Sequence, residues 1–317
     1  LMRLKKKYHM KNKILLLNKN KGSSSNYQLQ LIKKTLSFDK VGFLGTLDPL
    51  AGGVLPLFTG KMTKLIKHIK EDSKIYKVKA LVGIETDTLD ICGQITNLHN
   101  RTKYTFISDK KNKEKIKSFE GEFEYIAPRY SALKLNGKRY YELAKNNTEF
   151  ERKKIISRIH ELDILNLNPN SFELIVKCSP GTYVRSLVSS IGKSLGTFAT
   201  VCKLERLKSG PFDIKDSVKV SDITNKKDIF YDPSKIFKRI QIDHKTLIKL
   251  KSLNNYKKID LNHICENLYN RIHSIKDLKE DKIINIITGV NDKPELLIIS
   301  FFSNDGYYKH SSLELLD

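Results

Sequence analysis

The most informative segment of this chain reads Lys40-Val41-Gly42-Phe43-Leu44-Gly45-Thr46-Leu47-Asp48-Pro49-Leu50-Ala51-Gly52-Gly53-Val54-Leu55-Pro56. Between Lys40 and Lys61 the only ionisable side chain is that of Asp48. Four glycines allow positive φ angles or close backbone contacts, and two prolines fix φ elsewhere. An isolated Asp-Pro pair usually forms a turn, but a single carboxylate in so constrained a loop is also a candidate catalytic group.

Four further motifs follow in order, and together with the first they resemble the TruB family of tRNA pseudouridine synthases over about residues 13 to 215. One motif alone could match by chance, whereas five in the same order make the resemblance specific. The four are Lys74-Ile75-Tyr76 leading to Gly83-x-x-Thr86-Asp87-Thr88-x-Asp90-x-x-Gly93; Pro128-Arg129-Tyr130-Ser131-Ala132-Leu133-Lys134-x-x-Gly137-Lys138-x-x-Tyr141-Glu142-Leu143-Ala144; Cys178-Ser179-x-Gly181-Thr182-Tyr183-Val184-Arg185-Ser186-Leu187; and Leu204-x-Arg206-Leu207-x-x-Gly210-Pro211-Phe212.

The resemblance implies an isomerase that converts the T-loop uridine of tRNA, position 55 in tRNA numbering, to pseudouridine. It implies that Asp48 is the catalytic nucleophile, that Arg185 pairs with Asp48, and that Tyr76 lies against the target base. The substrate-binding residues that we expect are Tyr183 beside the base, Leu204 in the apolar wall, Phe43 against the T-loop bases, and the phosphate contacts Lys19, Lys64, Lys134, Lys138 and Arg139. Any single lysine among them could equally be a solvated surface charge.

The reaction detaches uracil from ribose at N1 and rejoins it at C5. A carboxylate can start it by attacking the base or ribose C1′, or by removing the C2′ proton, and the sequence leaves these routes open. Because an apolar loop disfavours an ionised carboxylate, a nearby cation is required. Arg185 is the candidate: the turn Pro180-Gly181-Thr182 precedes an amphipathic segment and places Arg185 in the first turn of a helix, where a cation opposes the helix dipole.

Three positions depart from the family pattern. Phe43 stands where the family usually has His, and Leu44 where it has a small polar residue. Phe43 can keep a stacking contact but not a hydrogen bond. Asn20 follows Lys19 where a proline is usual. These departures bear on substrate affinity, whereas the catalytic residues Asp48, Tyr76 and Arg185 match the family pattern.

The composition fits an RNA partner without establishing one. The 317-residue chain has a formal charge of +23 and a sequence pI near 9.6, which attracts polyanions. Its 48 lysines and 10 arginines, alongside abundant Asn and Ile, are also what a strongly AT-biased coding sequence produces. The global charge therefore carries little weight.

No apolar run approaches the roughly 20 residues that span a bilayer, and the basic N-terminus lacks the apolar segment of a secretory signal. Cys92, Cys178, Cys202 and Cys265 show no metal-ligand spacing, which predicts reduced, mostly buried thiols and no metal. We therefore expect a cytoplasmic protein, or one of an organellar matrix, that uses no cofactor. We expect it to bind the T-arm of tRNA, to act as a monomer and to need no obligate protein partner.

Hydrophobic periodicity predicts an α+β fold with a mixed, mainly antiparallel sheet flanked by helices. It predicts a buried strand at 14–17, a helix capped by Ser25, and alternating strands from Tyr76 to Ile84 and from Phe172 to Cys178. We expect a catalytic domain over residues 1–230, which matches the pseudouridine synthase fold that the resemblance implies, with an RNA-clamping insertion at about 125–155.

Residues 231–317 are expected to form a small, divergent β-rich domain. Strands are predicted at 283–287, 296–302 and 307–316, with a hairpin turn at Asn304-Asp305-Gly306. Either a PUA-like RNA-binding domain or an unrelated β cap fits this pattern.

Two other functions compete with the one implied. One is a relative with a different RNA target, and the other is a non-catalytic tRNA-binding or tRNA-folding factor on the same scaffold. The presence of Asp48, Tyr76 and Arg185 together argues against the non-catalytic factor, because a binding protein has no need of an ionised, buried carboxylate.

Overall fold

The computed structural model describes residues 12–69, 71–99, 110–224, 229–236, 238–241, 282–288, 294–302 and 308–314. The α-helices in these ranges are α1 Ser25–Thr35, α2 Lys110–Lys117, α3 Tyr140–Lys145 and α4 Val184–Ser194. The strands are β1 Ile14–Lys19, β2 Val41–Phe43, β3 Gly52–Thr59, β4 Lys74–Val82, β5 Ile84–Thr86, β6 Ile95–Leu98, β7 Gly121–Ile126, β8 Lys134–Leu135, β9 Lys138–Arg139, β10 Lys154–Asn168, β11 Ser171–Cys178, β12 Ala199–Ser209, β13 Phe212–Asp213, β14 Val218–Lys219, β15 Lys238–Gln241, β16 Lys282–Thr288, β17 Pro294–Phe302 and β18 Tyr308–Glu314. Short 3₁₀ helices span Gly60–His68, Ile214–Asp216, Val220–Asp222 and Pro233–Lys235.

The largest sheet in the described part of the chain has ten strands. Eight run in the order β14-β1-β3-β12-β4-β11-β10-β7, while β2 pairs with β3 and β13 with β12. The pairs β1–β14 and β3–β12 are parallel and the others antiparallel, so the predicted mixed, mainly antiparallel sheet is confirmed. Because β3, β12 and β4 lie side by side, three of the sequence motifs meet at the centre of the sheet.

Burial follows the hydrophobic pattern of each strand. All eight residues of β3 are buried, because both faces of the sheet are covered there. In β4 burial alternates, with Lys74, Tyr76 and Val78 facing inward and the residues between them only half-buried. A main core packs on the inner face, and a smaller one that includes Phe58 and Phe212 lies on the other face of β1 and β3.

The two helices nearest the site begin close to the predicted positions. Ser24, rather than the predicted Ser25, caps α1, and its side chain accepts a hydrogen bond from the Tyr27 backbone N–H. Ser25 is instead buried, with its hydroxyl directed at the Asp48 loop. The segment before α4 forms the predicted turn, and Arg185 lies in the first turn of the helix as expected.

The strand predicted from Tyr76 to Ile84 ends two residues early. Gly83 has φ +89°, which breaks the extended backbone, and Ile84 belongs to the separate hairpin of β5 and β6. Inside the predicted RNA-clamping insertion the short strands β8 and β9 pair with each other and lead into α3.

In the C-terminal region the described strands form a four-stranded sheet in the order β15-β16-β17-β18. The three predicted strands are confirmed as β16, β17 and β18, whereas the sequence did not indicate β15, which pairs in parallel with β16. The predicted turn at 304–306 and Cys265 lie outside the described residues. The boundary at residue 230 and the PUA-like identity stay predictions.

The described part of the chain also bears on the expectations about membrane spans, metal binding and thiol burial. Within the described ranges no helix is long and apolar enough to cross a membrane, and no cluster of three or more His, Cys, Asp or Glu side chains could hold a metal ion. The thiols are less buried than predicted: Cys178 is buried, Cys202 is half-buried, and Cys92 is exposed because it lies in the turn between β5 and β6.

Candidate active site

The Asp48 loop joins β2 to β3, and its shape depends on glycine at two positions. Gly45 has φ +68° and Gly53 has φ +104°, conformations that residues with a side chain rarely adopt. Gly53 lies opposite Arg206 where β3 and β12 pair, and a Cβ there would overlap the Arg206 backbone. The glycines therefore let the loop turn and let β3 approach β12.

Three buried side chains hold the backbone of this loop from outside. The Ser25 hydroxyl donates to the Leu47 carbonyl and accepts from the Leu47 N–H, both at 2.9 Å. The Lys19 ammonium group donates to the Ala51 carbonyl at 2.6 Å and reaches the Pro49 carbonyl at 3.4 Å. Arg206 donates from Nη2 to the Gly45 carbonyl and from Nε to the Val54 carbonyl, at 3.0 and 2.9 Å. Asp48 is thus presented by a fixed frame.

Arg185 contacts the Asp48 carboxylate directly, as predicted. Its Nε donates to Oδ2 of Asp48 at 2.8 Å. The contact is a single hydrogen bond from Nε and not a bidentate pair. The remaining nitrogens of the guanidinium are occupied: Nη1 donates to the Thr88 carbonyl at 2.7 Å and Nη2 to the Tyr130 carbonyl at 2.9 Å. A second carboxylate, that of Asp90, lies 3.9 Å from Nη1.

The two members of the ion pair differ in exposure. The Arg185 side chain is 3% exposed, whereas that of Asp48 is 33% exposed. The expectation of a buried carboxylate is therefore wrong, because the loop opens onto a cleft and leaves one side of Asp48 accessible. The arginine approaches from the protein side, so a substrate can reach the carboxylate from the cleft.

This cleft has a volume of about 230 Å³ and brings together four of the predicted site residues, Asp48, Tyr76, Tyr183 and Leu204. Burial raises the pKa of the Tyr76 hydroxyl to about 12, and burial also raises the pKa of Tyr183. Both phenols are therefore neutral at physiological pH. A carboxylate beside two neutral aromatic rings and an apolar wall suits a planar, uncharged base.

Tyr125 on β7 is a site residue that the sequence did not reveal. Its hydroxyl accepts a hydrogen bond from the Tyr183 N–H at 3.0 Å, and the two rings meet edge to face at 6.4 Å. Ser25, which we expected only as a helix cap, and Arg206, which lies in the last of the five motifs, were also missed as site residues. Their role depends on contacts between residues far apart in the chain, which no local pattern reveals.

The predicted basic contacts divide into two groups. Lys64, Lys134 and Lys138 are exposed and Arg139 is half-buried, so all four remain candidates for phosphate binding. Lys19 is not such a contact: only 1% of its surface is exposed and its ammonium group binds loop carbonyls. Phe43 is half-buried on β2 and packs against the main core, and it does not line the cleft.

Comparison with known sequences identifies the family. Residues 33–184 match the TruB family pseudouridylate synthase N-terminal domain. The tRNA pseudouridine synthase B of Clostridium kluyveri is 42% identical over 205 residues, which cover 65% of this chain and 70% of that protein. The enzyme of the same name from Clostridium tetani is 36% identical over 270 residues, which cover 81% of this chain and 89% of that protein.

Solved structures agree on the fold. The chain resembles one in a Cbf5-Nop10-Gar1 complex with a TM-score of 0.64 at 19% identity, covering 97% of this chain and 86% of that one. It also resembles one in an archaeal box H/ACA Nop10-Cbf5 complex with a TM-score of 0.60 at 18% identity, covering 97% and 87%. The structures show the fold, and the sequence matches show that the chain belongs to the TruB family of pseudouridylate synthases.

Proposed function

We propose that this protein is a tRNA pseudouridine synthase that isomerises the T-loop uridine at tRNA position 55. The observation that carries the proposal is the Asp48 carboxylate, which is bound by Arg185 on one side and open to an aromatic cleft on the other. The names of the bacterial relatives support tRNA as the substrate. The isomerisation is redox-neutral, so the proposal includes no cofactor.

Asp48 is the reacting group in this proposal. In each of the three possible routes, attack on the base, attack on C1′ or removal of the C2′ proton, an ionised carboxylate at this position starts the reaction. The bond between N1 and C1′ breaks, a bond between C5 and C1′ forms, C5 loses its proton and N1 gains one. Arg185 gives the carboxylate a cationic partner and fixes its orientation through the single Nε contact.

The cleft suits a nucleotide turned out of the RNA stack. A flipped base needs an aromatic or apolar face against which to stack, and Tyr76, Tyr183 and Leu204 provide such faces beside Asp48. Lys64, Lys134, Lys138 and Arg139 would bind phosphates of the RNA. We further propose that the protein acts as a monomer in the cytoplasm and needs no protein partner for activity.

The proposal is tested by incubating the purified protein with an unmodified tRNA transcript and mapping pseudouridine at single-nucleotide resolution. Modification confined to position 55, and absent from a transcript with cytidine there, is the expected result. Pseudouridine at another position alone would indicate a different RNA target. Tight tRNA binding with no pseudouridine at any position would favour the non-catalytic factor.

A further inference from the structure

The cleft contains a second charged side chain, to which the proposed reaction gives no role. Among the described residues that line it, only Asp48 and Lys74 carry a charge. Lys74 is the first residue of β4, and the inward alternation of this strand places Lys74 on the same face as Tyr76. The strand thus presents a cation and an aromatic ring to the same space.

The Lys74 ammonium group lies against the catalytic loop. A Cβ on Gly45 would be 2.9 Å from Lys74 Nζ and 3.0 Å from Arg206 Nη1, so both cations approach the loop three residues before Asp48. Glycine at position 45 leaves room for them. Both cations therefore lie near Gly45, in the loop that carries Asp48, and Lys74 lines the same cleft as Asp48.

This ammonium group is buried but only loosely paired. Its side chain is 10% exposed, and the partner that the structure records is Glu71, with Oε1 at 3.5 Å from Nζ. The same Glu71 oxygen accepts a shorter hydrogen bond, 2.7 Å, from the Ser209 hydroxyl. An ammonium group has three donors, so Lys74 can donate to a further acceptor in the cleft.

The local charge balance is positive. Arg206 is fully buried and its Nη1 makes no hydrogen bond within the described structure, while the Glu71 carboxylate lies on the same side of the loop, with Oε1 at 3.4 Å from a Cβ on Gly45. Burial lowers the pKa of Lys74, whereas Glu71 opposes this effect. A buried, incompletely paired cation costs folding free energy, and this is expected where it serves the reaction.

We infer that Lys74 is a catalytic residue that donates a hydrogen bond to a carbonyl oxygen of the target uracil and stabilises the negative charge that develops on this base. The inference rests on the proposed function. When the N1–C1′ bond breaks, its electron pair remains with uracil and spreads onto O2 and O4; when a nucleophile adds to the base instead, charge again collects on O4. Lys74 therefore acts in every route and exchanges no covalent bond itself.

The test measures single-turnover pseudouridine formation and tRNA affinity for Lys74→Met, Lys74→Arg and Lys77→Met. Lys77 lies on the outer face of the same strand, paired with Glu173, and serves as the matched control. We expect Lys74→Met to slow the single-turnover rate roughly 100-fold, as for loss of one donor in an oxyanion hole, with tRNA affinity within a few-fold. Lys74→Arg should recover part of the rate, and Lys77→Met should keep the parent rate.

Two further arms separate chemistry from folding. The double variant Glu71→Gln with Lys74→Met removes both charges of the pair, so no unpaired carboxylate is left, and it should be as slow as Lys74→Met. Substrates with 2-thiouridine or 4-thiouridine at the target replace one carbonyl oxygen by sulfur, a weaker acceptor. With one of these two substrates the single-turnover rate of the parent protein should be lower than with uridine, whereas the rate of Lys74→Met should change much less.

A Lys74→Met variant with the parent rate, or thio effects that are equal in the parent and the variant, would overturn the inference. If the parent itself forms no pseudouridine, the proposed function fails, which is a different result.

Discussion

Arg185 joins three separate parts of the chain through one guanidinium group. It contacts Asp48 in the catalytic loop, Thr88 in the turn after β5, and Tyr130 in the segment before β8. A planar group with five N–H donors can satisfy these acceptors together, whereas an ammonium group on a flexible stem cannot hold the same three directions. The geometry of the guanidinium therefore matters as well as its charge.

Arg185→Lys is expected to lower the single-turnover rate roughly 100-fold, because displacing a reacting group by about 1 Å has an effect of this size. The single-turnover rate of Arg185→Met should fall at least as far, since this variant also lacks the counter-ion of Asp48. Arg158→Lys, at an exposed arginine, is the control and should keep the parent rate. A lysine variant as fast as the parent would mean that Arg185 supplies charge alone.

Lys19 makes a pH-dependent contribution to stability. Burial lowers its pKa from 10.5 to about 8, although Asp48 opposes this shift. Between these two pH values the unfolded chain keeps the proton that the folded protein has lost. The contribution of Lys19 to the free energy of unfolding therefore rises as the pH increases from about 8 to 10.5 and is constant below this window.

Denaturant unfolding at a series of pH values tests this contribution. In Lys19→Met the slope of unfolding free energy against pH should be smaller than in the parent over this window, by up to about 1.4 kcal/mol per pH unit. Lys61→Met, at an exposed lysine, should keep the parent slope. Equal slopes for the parent and Lys19→Met would contradict the burial of a charged Lys19.

At the scale of elements, the site depends on how closely β3, β12 and the Asp48 loop approach one another. Arg206 lies opposite Gly53 across the parallel pair and binds the carbonyls at both ends of the loop region, Gly45 and Val54. The close approach is possible because Gly53 has no side chain. The contact between Arg206 and Gly53 therefore couples the pairing of β3 with β12 to the shape of the Asp48 loop.

Gly53→Ala should destabilise the protein by roughly 2 to 4 kcal/mol more than Gly22→Ala. Both glycines have positive φ, +104° and +84°, but a Cβ at Gly22 would meet nothing within 4 Å. The difference between the two variants isolates the contact with β12. Urea unfolding measures the free energy of unfolding of each variant. Equal destabilisation by Gly53→Ala and Gly22→Ala would contradict the close approach of β3 to β12.

The clamp residues Lys134, Lys138 and Arg139 belong to the β8–β9 hairpin and are candidates for contacts with RNA phosphates. Neutralising all three should flatten the plot of log affinity for tRNA against log salt by roughly 0.7 to 0.9 per lost contact. The exposed residues Lys110, Lys111 and Lys113 of α2 provide a control with the same change in charge. If both triple variants change the slope equally, the effect is one of general charge.

For the whole molecule, local patterns predicted the parts of the fold that local chemistry determines. The alternation in β4 and the apolar run of β1 predicted strands, and the Asp48 motif predicted the central residue of the site. The sequence could not show that Lys19 points inward. Its ammonium group is held by Ala51, a residue 32 positions away, and such contacts exist only after the sheet has formed.

The most direct test of the account replaces Asp48 with Asn, which keeps the size of the side chain and can still accept the Arg185 hydrogen bond. Single-turnover assays on a tRNA transcript would follow pseudouridine at the T-loop position, with tRNA affinity measured in parallel. We predict no pseudouridine at any reaction time and a tRNA affinity within a few-fold of the parent protein. Measurable pseudouridine formation by Asp48→Asn would contradict the assignment of Asp48 as the reacting group.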